Sequence, residues 1–177
     1  MDDLKFRRIK EEYDKFYRNI LKNNMLPMWS TEKGFWNASI SDEIYDAFKK
    51  INLNQFKNFL DIGSGDGKVV LIASLFCPNV FGIEADKSLH DKANEIKMKL
   101  HIPNAKFHNI DFFEHDFSKY SILFLNPDTS LERGLESKLL REMKGKLIHY
   151  GYHFHPRFLK REESFLVNGN SVTVYSK

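Results

Sequence analysis

The stretch from Phe59 to Val70, FLDIGSGDGKVV, decides the fold of this chain. Its apolar start predicts a buried strand, Gly63–Gly67 a tight turn, and the apolar run after the turn a helix. A second short apolar segment follows, Val80–Ile83, and it ends at the acid Glu84. Strand, glycine turn, helix, strand and acid are together the outline of a nucleoside-binding βαβ unit.

The spacing of the glycines distinguishes three kinds of nucleotide loop. A Walker phosphate-binding loop would need its first glycine where Ile62 stands, so that reading fails. The dinucleotide fingerprint G-x-G-x-x-G would need its third glycine where Lys68 stands, which disfavours a dehydrogenase. G-x-G-x-G after the acid Asp61 is instead the pattern of S-adenosylmethionine sites. The remaining alternative is a glycine turn with incidental acids.

We expect the cofactor to be held by three elements at the ends of successive strands. The turn lets the backbone approach the ligand closely, and the acid before it is expected to bind the ammonium group of the methionine tail. The acid after the second strand is expected to accept hydrogen bonds from the ribose. A third acid is expected to accept from the adenine amino group, and the backbone N–H after it to donate to a ring nitrogen. The predicted cofactor-binding residues are Asp61, Gly63, Ser64, Gly65, Glu84, Asp111 and Phe112.

Composition bounds the class of protein. The 177 residues, 42% of them hydrophobic, suit one packed domain. The formal charge of +3 gives no strong electrostatic case for nucleic acid, and the single cysteine, Cys77, fits a reducing compartment. No apolar run approaches the roughly 20 residues that span a bilayer, and the charged N-terminus does not suit a signal peptide. We therefore expect a cytoplasmic protein with no membrane partner.

Alternating strand and helix patterns predict a Rossmann-like, doubly wound α/β fold with a seven-stranded mixed sheet. Apolar residues spaced by three and four predict an amphipathic helix from Asp3 to Lys22, and Met25 to Ala38 is expected to be a loop. Leucines from Leu131 to Leu139 predict one helix, and Asn168-Gly169 between two β-rich runs predicts a C-terminal antiparallel hairpin. We expect a single methyltransferase domain over 1–177, with the helix and loop of 1–38 packing on or capping the site.

From about Ser39 to its C-terminus, the chain resembles the class I S-adenosylmethionine-dependent methyltransferases. Leu60–Val70 is similar to the D-L-G-S-G-D-G-R-I-V segment of the small archaeal and mitochondrial protein lysine methyltransferases. Asp111–Glu114, Phe124–Pro127 and Lys146–Tyr150 follow in the same order and spacing as in that family. The resemblance implies methyl transfer to lysine side chains of proteins.

Two departures from that family leave other acceptors open. Phe35–Ser39 stands where family members usually carry a Pro-Thr-Pro-like loop. Asn126-Pro127-Asp128-Thr129 partly resembles the D/N-P-P-Y/F motif of enzymes that methylate amino groups of RNA, DNA or glutamine, but it lacks the aromatic residue. The alternatives are therefore such an amino-group methyltransferase, or a non-catalytic cofactor-binding subunit of a methyltransferase complex.

The acceptor is expected to enter at the carboxyl ends of the strands. The predicted catalytic residues there are Asn126, Pro127 and Asp128, although a simple Pro-initiated turn explains the same residues. Aromatic walls for a lysine stem are expected from Trp36, Tyr150 and Tyr152. We expect no metal at the cluster His149, His153 and His155, which lacks a zinc-like pattern. The oligomeric state stays open between monomer and homodimer.

Overall fold

The computed structural model describes residues 2–177, and Met1 of the predicted N-terminal segment lies outside the described residues. The helices are α1 (Asp2–Lys22), α2 (Ser41–Lys50), α3 (Lys68–Ala73), α4 (Lys87–Leu100) and α5 (Leu135–Glu142). The strands are β1 (Met28–Ser30), β2 (Phe35–Asn37), β3 (Asn58–Ile62), β4 (Asn79–Ile83), β5 (Ala105–His108), β6 (Ile122–Leu125), β7 (Lys146–Tyr150), β8 (Lys160–Val167) and β9 (Asn170–Ser176).

Seven of these strands form one mixed sheet in the order β5-β4-β3-β6-β7-β9-β8. The first five are parallel, and β9 joins β7 and β8 antiparallel. The chain runs from β3 outward to β5 and then returns to β6 on the other side of β3. This arrangement confirms the predicted doubly wound sheet and places its switch point between β3 and β6, where such sheets bind ligands.

Helices cover both faces of the sheet, so its central strands are apolar on both sides. One core lies between the sheet and helices α1, α2 and α3, and it contains Tyr13, Phe48 and Phe124. The other core lies under α5 and contains Leu123 and Leu139. The two cores hold the strand ends in fixed positions, and the site is built on those ends.

The C-terminal hairpin forms as predicted. Asn168 and Gly169 connect β8 to β9 with φ angles of 49° and 91°. A two-residue turn with positive φ at both positions matches the twist of the flanking strands, which is why Asn-Gly is favoured there. The hairpin completes the sheet and buries Val172 and Val174.

Two local predictions were wrong. Met25 to Ala38 is not a plain loop, because β1 and β2 pair antiparallel, with Trp29 opposite Trp36. Strands of three residues carry too short a pattern to be recognised. The predicted helix from Leu131 to Leu139 is broken, because Gly134 adopts a φ of 109° between a short 3₁₀ turn and α5.

α1 forms as predicted and packs on the domain through Phe6, Ile9 and Tyr13. Its polar face is exposed to solvent, as expected for an amphipathic surface helix. Across residues 2–177, the structure contains no helix with both the length and the apolar character needed to cross a membrane.

Candidate active site

A cavity of about 470 Å³ lies at the carboxyl ends of β3, β4 and β6, at the switch point of the sheet. Its volume is in the range of small-molecule and cofactor sites. The glycine turn forms its floor, the residues after β4 and β6 form two walls, and the β1–β2 hairpin covers it. The topology therefore brings together segments that are far apart in the sequence.

The glycine turn adopts the conformation that its sequence predicts. Gly63 and Gly65 have φ angles of 73° and 53°, which residues with a side chain rarely adopt. A Cβ atom built on Gly63 would have no atom within 4 Å, so the backbone there borders open space in the cavity. A Cβ on Gly65 would lie 2.5 Å from the indole of Trp36. The turn is thus open to a ligand on one side and closed by the hairpin on the other.

Asp61 and Ser64 are buried polar residues without partners. Asp61 is 3% exposed and lines the cavity, and within residues 2–177 no donor hydrogen-bonds to its carboxylate. The Ser64 hydroxyl is also buried without a hydrogen-bond partner in that part of the chain. Burial, and then the nearby carboxylates of Glu84 and Asp66, raise the pKa of Asp61 well above its usual range. A cationic ligand group beside Asp61 would satisfy this carboxylate.

Glu84 follows β4 and lines the same cavity. Its Oε2 accepts a hydrogen bond from the Gly65 N–H at 2.8 Å, and its Oε1 accepts one from the Asp86 N–H at 2.7 Å. Burial raises its pKa, and these two N–H groups partly oppose that rise. A carboxylate has about four acceptor positions, so further positions stay free for ribose hydroxyls. The N–H groups fix its orientation.

Asp111 does not take the place that the sequence predicts for it. Its Oδ1 accepts a hydrogen bond from the Phe113 N–H and caps a short 3₁₀ turn, and its Oδ2 lies 3.5 Å from the Lys33 ammonium. Asp111 itself does not line the cavity, whereas Ile110, Phe112 and Phe113 line it. Apolar side chains, with Phe112 among them, form this wall where the sequence predicted an acid toward the adenine.

Asn126, Pro127 and Asp128 follow β6 and line the cavity. The Asn126 side chain is exposed and makes no hydrogen bond in the part of the chain described. Asp128 Oδ2 accepts a hydrogen bond from the backbone N–H of Phe35 on the hairpin. Asn126 is therefore free to meet an acceptor, whereas Asp128 connects the end of β6 to the cover.

Of the three aromatic residues predicted to contact the substrate, only one lines the cavity. Trp36 lines the cavity and packs against Trp29, with ring centroids 4.2 Å apart. Tyr150 and Tyr152 do not line it, which corrects the prediction. Alternation along β7 turns Tyr150 into the core, where its hydroxyl bonds to Glu43, and the Tyr152 hydroxyl donates to the Gly169 carbonyl.

The histidine cluster lies outside the cavity. His149 is fully buried and stacks on His155, with ring centroids 4.2 Å apart. His153 is exposed. Among residues 2–177, no group of three or more His, Cys, Asp or Glu side chains is arranged to hold a metal ion.

Sequence reasoning missed several cavity residues, among them Asp66, Phe35, Phe113 and Arg133. Asp66 lies within the glycine turn itself. Because an acid in such a turn faces the ligand or the core, its place at the cavity could have been predicted. Phe35 and Phe113 line the mouth and are 46% and 47% exposed. Arg133 lies beside them. No local pattern marks these last three residues, because they meet only through the fold.

The cavity carries more negative than positive side chains. In the described chain, its acidic residues are Asp61, Asp66, Glu84 and Asp128, and its basic ones are Lys33 and Arg133. Lys33 lies near Asp111, which balances its charge. Burial raises the pKa of three of these acids, Asp61, Asp66 and Glu84.

Comparisons with known proteins identify a family and a set of relatives for this chain. The family model of histone methylation protein DOT1 matches residues 38–132, which is more than half of the chain. The release factor glutamine methyltransferase of Buchnera aphidicola subsp. Schizaphis graminum is 25% identical over 136 residues, which cover 67% of this chain. This chain spans 49% of that relative's length.

Solved methyltransferase structures share the fold. An RNA methyltransferase from Salinibacter ruber, in complex with S-adenosyl-L-homocysteine, superposes with a TM-score of 0.68 at 20% identity, covering 78% of this chain and 92% of that one. The putative methyltransferase yhhF from Escherichia coli gives a TM-score of 0.58 at 16% identity, covering 75% and 80% of the two chains. Identities this low establish the fold alone.

The residues that line the cavity fit S-adenosylmethionine. The unpartnered Asp61 carboxylate suits its ammonium group, the oriented Glu84 carboxylate suits its ribose, and Ile110 and Phe112 offer an apolar wall to its adenine. By its family match and its fold, the chain belongs to the DOT1 family of histone methylation proteins and hence to the S-adenosylmethionine-dependent methyltransferases.

Proposed function

We propose that this protein transfers a methyl group from S-adenosylmethionine to the side-chain nitrogen of lysine in a protein substrate. The scarcity of basic side chains carries the proposal, because only Lys33 and Arg133 line the cavity in the described chain and Lys33 lies near Asp111. Such a site favours the approach of a lysine ammonium and opposes a phosphate backbone. The match to a histone methylation family supports the same acceptor class.

The mouth of the cavity supports a protein partner. Phe35 and Phe113 stand there half-exposed, and they offer apolar surface to the stem and neighbours of an entering lysine. Proteins that bind single-stranded nucleic acid combine stacking aromatics with a positively charged groove. Here only Arg133 and Lys33 supply positive charge to the cavity within residues 2–177, and Lys33 lies near Asp111.

Positioning is the main contribution of the protein to the chemistry. S-adenosylmethionine supplies a methyl group on a sulfonium, and transfer is an in-line displacement that needs an aligned, uncharged nitrogen. We propose that the free Asn126 side chain, which lines the cavity, accepts a hydrogen bond from the acceptor N–H and so turns the nitrogen lone pair toward the methyl group. Within residues 2–177, no histidine or tyrosine lines the cavity, so we propose that the lysine loses its proton to solvent water at the cavity mouth, before its nitrogen reaches the reacting atoms.

The hairpin has a part in this proposal. We infer that the chain works as one domain in which residues 2–38 cap the cofactor. Two contacts support this: Trp36 packs on Gly65, and the Phe35 N–H bonds to Asp128. The cap would exclude water from the reacting atoms, which strengthens their electrostatic interactions.

The amide nitrogen of a protein glutamine is the second candidate acceptor. Asn126-Pro127 forms the start of the motif expected for such acceptors, and a release factor glutamine methyltransferase is among the relatives. The position of the motif's aromatic residue is taken by Thr129, so the stacking surface for a flat amide is missing. This difference favours lysine.

Tritium transfer distinguishes the candidates. The purified protein is incubated with S-adenosylmethionine carrying a tritiated methyl group and with host lysate, and portions are then treated with protease or nuclease. We expect the label to be lost with protease and kept with nuclease, and to appear as methyl-lysine after acid hydrolysis. Methylated glutamine would instead release labelled methylamine on hydrolysis, because its label sits on an amide nitrogen. Loss of the label with nuclease would contradict the proposal.

Matched variants show whether this cavity performs the transfer. Asn126→Ala changes the acceptor end, and Asn170→Ala removes an amide outside the cavity that hydrogen-bonds to Glu43 and Tyr150. We expect labelling to fall in the first variant and to persist in the second. If no acceptor is labelled although S-adenosylhomocysteine binds, a non-catalytic subunit becomes the better description.

A further inference from the structure

Helix α1 is hydrogen-bonded to the glycine turn through two tyrosines. The Tyr13 hydroxyl donates to the backbone carbonyl of Asp66 at 2.8 Å, and the Tyr17 hydroxyl donates to Asp66 Oδ2 at 2.5 Å. The other oxygen, Oδ1, accepts from the Lys68 N–H at 3.2 Å. Both oxygens of this carboxylate are therefore held, one from α1 and one from the start of α3.

Burying the Asp66 carboxylate costs free energy, and the hydrogen bonds to its oxygens offset part of that cost. It is 3% exposed, and burial raises its pKa, while the Lys68 ammonium and the Tyr17 hydroxyl oppose that rise. An acceptor at this depth that loses a partner carries the full cost of its lost hydration. Loss of the Tyr17 hydroxyl would therefore leave one Asp66 oxygen without its partner.

Tyr17 is itself fixed in place from two sides. The Lys68 ammonium lies 4.5 Å from the centroid of its ring and donates to the Ser39 carbonyl, which lies just after the β1–β2 hairpin. The ring of Trp36 lies 6.4 Å from that of Tyr17 and packs on Gly65. α1, the hairpin and the turn meet at this one tyrosine.

The position of the glycine turn also affects Glu84, the acid that is expected to bind the ribose. Gly65 immediately precedes Asp66, and its N–H donates to Glu84 Oε2 at 2.8 Å. A shift of Asp66 would move the Gly65 N–H and release the Glu84 carboxylate from one of its two N–H donors. Tyr17 touches neither the cavity nor the expected ligand positions, so its effect on the ligand must pass through the turn.

We propose that Tyr17 is a positioning residue of the cofactor site: by holding Asp66, its hydroxyl sets the Gly65 N–H and, through it, the Glu84 carboxylate that is to bind the ribose. The inference rests on the proposed function only in naming the ligand. It makes the N-terminal helix part of the binding machinery although that helix lies outside the nucleoside-binding unit. The restraint on the turn exists in the free protein and can be measured there.

The test compares Tyr17→Phe with Tyr120→Phe, which removes a hydroxyl bonded at 2.6 Å to His115 away from the cavity. Both full-length proteins are examined by amide hydrogen exchange without ligand, by calorimetry with S-adenosylhomocysteine, and by thermal unfolding. In Tyr17→Phe we expect exchange at the Gly65 and Lys68 amides to rise about tenfold and the Kd to rise about five- to tenfold. In Tyr120→Phe both should stay within about twofold of the wild type.

A lowered unfolding temperature with unchanged exchange at the turn and unchanged Kd would make Tyr17 a structural residue only, and would overturn the proposal. Failure of the wild-type protein to bind S-adenosylhomocysteine would count against the proposed function instead. The exchange comparison would then still decide whether Tyr17 positions the turn, because it needs no ligand.

Discussion

The indole of Trp36 lies directly against the backbone of Gly65, so that a Cβ atom on Gly65 would come within 2.5 Å of its Cδ1 and Nε1 atoms. Glycine is required there by two independent conditions, the close indole and a φ of 53°. The contact closes the cofactor loop from above. It also makes the N-terminal hairpin and the glycine turn mutually dependent.

Gly65→Ala should therefore abolish measurable binding of S-adenosylhomocysteine. The new methyl group displaces Trp36, and the positive φ adds about 1–2 kcal/mol of backbone strain. Gly169→Ala is the matched control, since its φ is 91° but a Cβ there meets nothing within 4 Å. Calorimetry should show normal binding in that control. Equal binding in both variants would mean that the Trp36 contact does not shape the site.

Asp61→Asn should stabilise the free protein and weaken cofactor binding. The folded-state pKa of Asp61 is raised above its unfolded value, so its contribution to stability is present at low pH and lost as pH rises through the folded pKa. The amide does not titrate, so it removes the free-energy cost of burying this carboxyl group at high pH. The free energy of unfolding at pH 8 should therefore rise by about 1 kcal/mol or more. Chemical denaturation at pH 5 and pH 8 measures the change.

The same carboxylate should make cofactor binding depend on pH. If Asp61 pairs with the ligand ammonium, it must be ionised, so the wild-type affinity should fall as pH falls through the raised pKa. Asp61→Asn should bind about tenfold more weakly at pH 8 and lose this dependence. Titrations in buffers of different ionisation enthalpy should detect proton release on wild-type binding. A pH-independent wild-type affinity would argue against the ammonium contact.

Glu84→Ala should weaken cofactor binding by about 1–3 kcal/mol, the usual value of hydrogen bonds to a charged group. The variant also leaves the N–H groups of Gly65 and Asp86 without their acceptor. Glu84→Gln retains one oxygen and should lose less. Calorimetry of the two variants separates the charge from the geometry, and unchanged affinity in Glu84→Ala would remove the ribose role.

Asn126→Ala should lower kcat about tenfold or more and leave the Kd of S-adenosylhomocysteine within about twofold, because the residue lines the cavity at the end where we propose that the acceptor binds. Asp128→Ala should act differently. It releases the Phe35 N–H and with it the hairpin, so cofactor affinity should fall along with the rate. If only the KM for the acceptor rises in either variant, the substituted residue binds the acceptor but does not align it for methyl transfer.

Several of the residues predicted to bind the cofactor lie together at one cavity, for a physical reason. Gly63, Gly65 and Glu84 sit at strand ends whose positions follow from the βαβ pattern alone, and the pattern requires them to converge. The predicted position of Asp111 differs from the observed one, because an acid before a 3₁₀ turn can cap that turn as well as face a ligand. Which of the two occurs depends on neighbours such as Lys33.

The acceptor half was harder to predict. Tyr150 stands at the end of a strand, and one residue of register decides whether its ring faces the cavity or the core. The pairing of Leu125 with His149 turns Tyr150 to the core side. Phe35 and Phe113 reach the mouth from a hairpin and a turn that carry no periodic signal.

The stability of the protein should fall between about pH 6.5 and pH 4 because of His149. Burial, and then the nearby His155, lower its pKa from 6.5 to about 4, and backbone carbonyl groups at His153 and Phe154 oppose this only in part. Between those values the unfolded chain binds the proton and the folded chain does not, so up to roughly 3 kcal/mol is lost as pH falls. His149→Phe keeps the stacked ring without a titrating group, and should flatten the dependence when denaturant unfolding is followed from pH 8 to pH 4. The exposed His153→Gln should leave the wild-type slope unchanged, and a wild-type slope in His149→Phe would show that other groups cause the loss.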